Sequence, residues 1–133
     1  IGSLSLTGGN TGVNKASFLV VLEQGDNVLQ FDGTGLSDSY GITVDKVQLT
    51  STFSNENLIA NGDFETPALT PGSYTIENGG FSGWTSSEYE LGWCKIYNDA
   101  WHAGQCIELD GNVNIRYTQV ILVEAEVYRS LIA

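Results

Sequence analysis

One histidine, His102, two cysteines, Cys94 and Cys106, and sixteen Asp and Glu residues are the groups in this 133-residue chain that could do chemistry. His102 could take a proton from a serine if Asp99 or Asp110 oriented its ring. A single histidine beside Trp101 is more often a packing or surface residue. The chain contains no G-x-S-x-G elbow, no H-E-x-x-H helix and no phosphate-cradling glycine loop. Paired carboxylates could cleave glycosidic bonds, but sixteen acids place some pair close together through abundance alone. No catalytic residues, and therefore no enzyme, are expected.

Cys94 and Cys106 flank a turn-like stretch at residues 98–104. One pair straddling a hairpin reads as a disulfide, since a metal site would gather more soft ligands nearby. The other reading is two buried free thiols. Around this pair, Tyr89, Trp93, Tyr97, Trp101 and His102 lie close in sequence. Aromatic faces with polar edges can stack on sugars, and they also fill cores and protein interfaces. Both readings stay open on sequence.

Five Lys and Arg residues stand against the sixteen acids, a formal charge of −11. That balance repels nucleic-acid backbones and anionic lipid surfaces, so no nucleic-acid partner is expected. No apolar run approaches the ~20 residues of a membrane helix, and no membrane insertion is expected. Acidity suits solubility outside cells, or the binding of cations. With a disulfide-permissive compartment, the expected location is extracellular, at a cell surface. No asparagine is followed by the x-Ser/Thr acceptor pattern, so N-linked glycans are not expected.

Such residues must be positioned by short elements. Turn signals recur at Gly8-Gly9-Asn10, Gly25-Asp26-Asn27, Asp32-Gly33-Thr34-Gly35, Asn61-Gly62-Asp63, Asn78-Gly79-Gly80 and Asp110-Gly111-Asn112, with short apolar runs between them. That rhythm is all-β. Residues 16–23, 28–31 and 107–110 read as strands. In residues 41–49, Ile42 and Val44 share one parity while Val47 and Leu49 share the other, so a β-bulge is expected near Asp45. Residues 120–133 carry Ile121, Val123, Ala125, Val127 and Leu131 at period two, although Glu124, Ala125, Glu126 and Arg129 are good helix formers. The strand pattern is expected to prevail. The length suits a single domain over residues 1–133.

Three motifs in order carry a resemblance. Asn57-Leu58-Ile59-Ala60-Asn61-Gly62-Asp63-Phe64-Glu65-Thr66-Pro67, then Gly83-Trp84-Thr85, then Ile107-Glu108-Leu109-Asp110-Gly111-Asn112 with Thr118-Gln119, resemble the opening half of galactose-binding-like jelly-roll domains of bacterial surface and plant cell-wall proteins. Gly25-Asp26-Asn27-Val28-Leu29-Gln30-Phe31-Asp32-Gly33-Thr34-Gly35-Leu36-Ser37-Asp38-Ser39-Tyr40-Gly41, followed by Val44-Asp45-Lys46-Val47-Gln48-Leu49, resembles their closing half, with Lys46 where Asn is usual. The resemblance implies an antiparallel β-sandwich of jelly-roll type, with Trp84 in its core. It also implies a structural calcium held by Asp45, Glu65, Asn61 and Asp63, with Asp38 as a weaker ligand. The ion would join the two halves and do no chemistry. The alternative is that Asp45 and Glu65 only accept hydrogen bonds from turn amides.

The halves are inverted: residues 1–52 match the closing half and residues 53–133 the opening half. The chain is circularly permuted, or cut from a tandem array in mid-repeat, or completed by strands from a neighbouring copy. The third arrangement does not close on itself and so makes a filament. Leu4, Leu6, Ile121, Val123, Val127 and Leu131 are the expected assembly positions, because unpaired apolar edges are sticky. The expected function is an extracellular structural or adhesive fibre subunit, assembled head-to-tail by strand exchange with other copies of itself. The alternative is a non-catalytic carbohydrate-binding module that binds polysaccharide.

Overall fold

The computed structural model describes residues 15–17, 19–38, 41–94 and 104–124, with Cys94 described in its backbone only. Every regular element among them is a strand: β1 (Gly25–Asp32), β2 (Thr43–Val44), β3 (Tyr74–Asn78), β4 (Glu88–Cys94), β5 (Gly104–Glu108) and β6 (Arg116–Val123). They form two antiparallel sheets, β1-β6 and β2-β5-β4-β3. The protein is therefore an all-β sandwich.

Period-two alternation sets which side chains meet between the sheets. In β6, Tyr117, Gln119, Ile121 and Val123 are buried while Arg116, Val120 and Leu122 are exposed. Opposite them, Leu29 and Phe31 of β1 pack against the core. The central strand β5 is buried from Gly104 to Ile107, as expected of a strand covered on both faces. The core gathers Ile59, Phe64, Phe81, Trp84, Leu91, Ile107, Leu109, Ile115, Tyr117, Ile121 and Val123. Its aromatic rings touch in series: Phe31 to Trp84 at 5.9 Å, Trp84 to Phe64 at 5.5 Å, Phe64 to Phe81 at 6.4 Å and Phe81 to Tyr89 at 4.9 Å. Each such tilted pair adds about 0.5–1.5 kcal/mol to the burial of the rings. Trp84 lies in the core, as the resemblance implied.

The parity switch near Asp45 is present. Ile42 and Val44 pack inward, and beyond the switch Val47 and Leu49 do. Between them Lys46 has φ +53°, a left-handed backbone that turns the chain over by one residue. Asparagine tolerates that conformation better than lysine.

Residues 16–23 depart from the strand expectation. They enter no ladder among the described residues, and Leu19 and Val21 are 97% and 84% exposed. An apolar run specifies a strand only when a partner edge lies beside it. Among the described residues of this run, Leu22 packs against the core.

The first and second parts of the chain pair with each other. β1, from the first half, pairs with β6 over their full length, from Gly25 opposite Val123 to Asp32 opposite Arg116. β2, also from the first half, pairs with β5. These pairings need no strand from a neighbour.

Candidate functional site

The residues that carry the resemblance hold the two halves together. In the Asn61-Gly62-Asp63-Phe64 turn, the Asn61 carbonyl accepts the Trp84 indole N–H at 3.1 Å and the Phe64 amide at 3.2 Å. The Asn61 side-chain amide donates to the carbonyls of Thr66 (2.7 Å) and Ser82 (2.9 Å) and accepts from the Thr66 amide. Gly62 leaves no room for a Cβ, which would fall 2.2 Å from the Val47 carbonyl oxygen, and its own carbonyl accepts the Val47 amide at 2.7 Å. A second clasp joins the Ser37-Asp38 and Leu109-Asp110 segments. Asp110, 3% exposed, accepts the Ser37 hydroxyl at 3.1 Å and the Asp38 amide at 2.8 Å. Glu108 accepts the Gly41 amide at 2.7 Å.

The calcium donors proposed by resemblance are engaged in these turns. Asp45 Oδ1 accepts the Lys46 amide, Asp63 Oδ1 the Glu65 amide, and Glu65 Oε1 the Gln105 amide. Both lone pairs of the Asn61 carbonyl face N–H donors. Asn61 and Asp63 line a shallow hollow of about 260 Å³ that Lys46 also borders. Among the described residues, no three His, Cys, Asp or Glu side chains group closely enough to hold a metal ion. Of the amides bonded to Asp45, Asp63 and Glu65, those of Lys46 and Glu65 belong to turns and that of Gln105 to β5.

Two of the five sugar-contact candidates are within the described residues, and both are engaged in the fold. Tyr89 packs on Phe81 at 4.9 Å, and the Trp93 indole N–H donates to the Leu69 carbonyl at 3.4 Å. Tyr97, Trp101 and His102 lie outside the described residues. Cys106 is buried, 5% exposed, and is not a free thiol. The β4-β5 register sets Cys94 opposite Gly104 and Cys106 opposite Gly92, so the two positions are diagonal neighbours. The Cys94 side chain lies outside the described atoms.

Sequence reasoning missed an acidic cluster. The β4-β5 register sets Glu90 directly opposite Glu108, with Glu88 two residues away on β4 and Asp110 two residues beyond the end of β5. The Tyr117 hydroxyl lies between the pair, accepting the Glu90 amide at 3.0 Å and donating to the Glu108 carbonyl at 3.0 Å. Burial, then the negative charges of Glu108, Asp110 and Glu88, push the Glu90 carboxyl up to about 7. Burial also raises Glu108, against the Gly41 amide that lowers it. Burial pushes the Tyr117 phenol upward, so it remains a donor at neutral pH. The alternating Glu88-Tyr89-Glu90 and Glu108-Leu109-Asp110 runs were visible, but only the register shows that they face each other.

The β1-β6 sheet offers the other feature. Val28, Val120 and Leu122 on its outer face are 64%, 60% and 62% exposed, and Val28 pairs with Val120. Ile121 and Val123, expected as assembly positions, are 6% and 1% exposed within this chain's own core, so the exposed parity of β6 is the opposite one. Leu4, Leu6, Val127 and Leu131 lie outside the described residues. Along the far edge of β6 runs a slot of about 400 Å³ lined by Leu58, Ala60, Gly83, Thr85, Gln119, Val120, Ile121 and Leu122. Comparison with protein families, with characterised proteins and with solved structures finds no match to this chain.

Proposed function

We propose that the protein is an extracellular structural or adhesive subunit: a non-catalytic, permuted jelly roll of galactose-binding-like type that polymerises head-to-tail into a surface fibre. The observation that carries this reading is the β1-β6 sheet. Among the described residues it has only two strands, both of its edges are open apart from one bridge at Thr118, and its outer face is apolar at Val28, Val120 and Leu122. Two strands are marginal as a layer in water, and exposed strand edges are surfaces that other chains pair with. Strands added by neighbouring copies satisfy both. The open edge and the strand it receives are different surfaces, so each copy can bind one neighbour at each end, which propagates instead of closing.

A Cys94–Cys106 bridge belongs to the same proposal, as it would tie β4 to β5 in an oxidising setting. The carbohydrate-binding alternative rests on Tyr97, Trp101 and His102. Sedimentation velocity and electron microscopy of the full chain over rising concentration test the fibre. Concentration-dependent filaments are expected. A sharp monomer peak that persists to the highest soluble concentration would refute it.

A further inference from the structure

The inference rests on the fibre reading and names its two contact surfaces. We propose that the apolar segment at residues 16–21 of one copy, with Leu22 still anchored in its own core, inserts as a strand into the slot along the β6 edge of the next copy, between β6 and the segments at residues 58–60 and 83–85.

The acceptor follows from backbone geometry. Thr118 exchanges both of its backbone hydrogen bonds with Thr85, N to O at 2.9 Å in each direction. The alternation of an antiparallel strand then turns the N–H and C=O groups of Val120 and Leu122 to the same side, away from β1. Among the described residues no strand pairs with that side beyond Thr118. On the opposite wall, the Gln119 side chain takes both hydrogen-bonding groups of Ala60, accepting its amide at 2.7 Å and donating to its carbonyl at 2.9 Å. That amide clamp closes one end of the slot, and among the described residues the edge of Val120 and Leu122 stays open.

The donor follows from exposure. Leu19 at 97% and Val21 at 84% are more exposed than any described large apolar residue of β1 to β6, and they share one parity. Strand addition would give their backbone a ladder and their side chains an apolar wall in Leu58, Ala60, Val120 and Leu122. Four residues of strand span about 13 Å, which matches the stretch from Gln119 to Leu122.

Charge selects this pairing. A body of formal charge −11 repels its copies, so copies can approach closely only where neither surface is acidic. No charged residue lines the slot, and residues 16–22 contain none, with Lys15 and Glu23 just outside. The two surfaces are different, so the contact propagates.

Complementation between two variants of the full chain tests the pairing. The donor-blocked variant carries Leu19→Asp and Val21→Asp. The acceptor-blocked variant carries Leu122→Asp. All three positions are exposed, and circular dichroism should show each variant folded like the wild type. Wild-type chain should polymerise, and each variant alone should stay monomeric at tenfold higher concentration. Mixed one to one, the variants should form a heterodimer and stop there, because only one intact donor meets one intact acceptor. A synthetic peptide of residues 15–24 should cap wild-type growth, whereas the same peptide with both aspartates should not. Polymerisation of the folded donor-blocked variant at the wild-type level would overturn the pairing and leave the fibre standing. A monomeric wild type would overturn both.

Discussion

Replacing Glu90 with glutamine should leave stability at pH 5 nearly unchanged and raise it at pH 8. Glu90 lies directly opposite Glu108 across β4 and β5, with Glu88 and Asp110 beside them. Burial, with those neighbours adding repulsion, lifts its carboxyl up to about 7. The folded chain therefore keeps a proton that the unfolded chain releases at the ordinary carboxylate range. The stabilisation carried by that proton is complete below the ordinary range and is lost as pH rises through about 7. At full strength the displacement corresponds to about 3 kcal/mol. Solvent screening of a half-buried side chain cuts this to roughly 1–2 kcal/mol. Glutamine keeps the shape and never ionises. Glu90→Gln should then gain roughly 1–2 kcal/mol at pH 8, about 4–8 °C in Tm. The assay is urea unfolding of both proteins at pH 5 and pH 8 and one ionic strength. Their difference isolates Glu90, because every other titrating group is common to both. A gain of equal size at both pH values, or a loss at pH 8, would refute the reasoning.

Other outcomes follow from the same geometry. Tyr117→Phe removes the hydroxyl between the Glu90 amide and the Glu108 carbonyl and should cost about 1–3 kcal/mol by chemical denaturation, with secondary structure unchanged. Gln105→Leu strands the carbonyls of Phe64 and Pro67 and the Leu69 amide, which the Gln105 side chain now serves while 1% exposed. A loss of about 2–5 kcal/mol is expected, and an unfolding midpoint equal to wild type would contradict it. Hydrogen bonds to one oxygen each of Asp45, Asp63 and Glu65 and to the Asn61 carbonyl compete with a cation there, so Tm should differ by less than about a degree between chelator and millimolar calcium; ligand-linked stabilisation would show as a rise with calcium concentration. For the proposed Cys94–Cys106 bridge, alkylation without reductant should add no mass, and alkylation after reduction should add two labels.

Much of the fold was legible because the signals were local. Turn residues at short intervals and period-two alternation indicated strands without any knowledge of their partners. The parity break between Val44 and Val47 located the backbone reversal at Lys46 to within a residue, since the opposite faces of a strand follow from chain geometry alone. Trp84 fell in the core as the resemblance implied. Residues 16–23 were misread as a strand because composition reports an appetite for a partner and says nothing of whether one is adjacent. Ile121 and Val123 were read as assembly positions from the same pattern that buries them against β1, so the period was right and the face was not.

By itself the sequence determined the all-β class and the strong negative charge, because composition, turn chemistry and alternation act over a few residues. Only the tertiary structure decided which acids meet, which oxygens the turns occupy and which strand edge stays open among the described residues. Those depend on register, and register is set by the whole core at once: a shift of one residue in β4 against β5 would separate Glu90 from Glu108 and send every inward side chain of that strand to the other face.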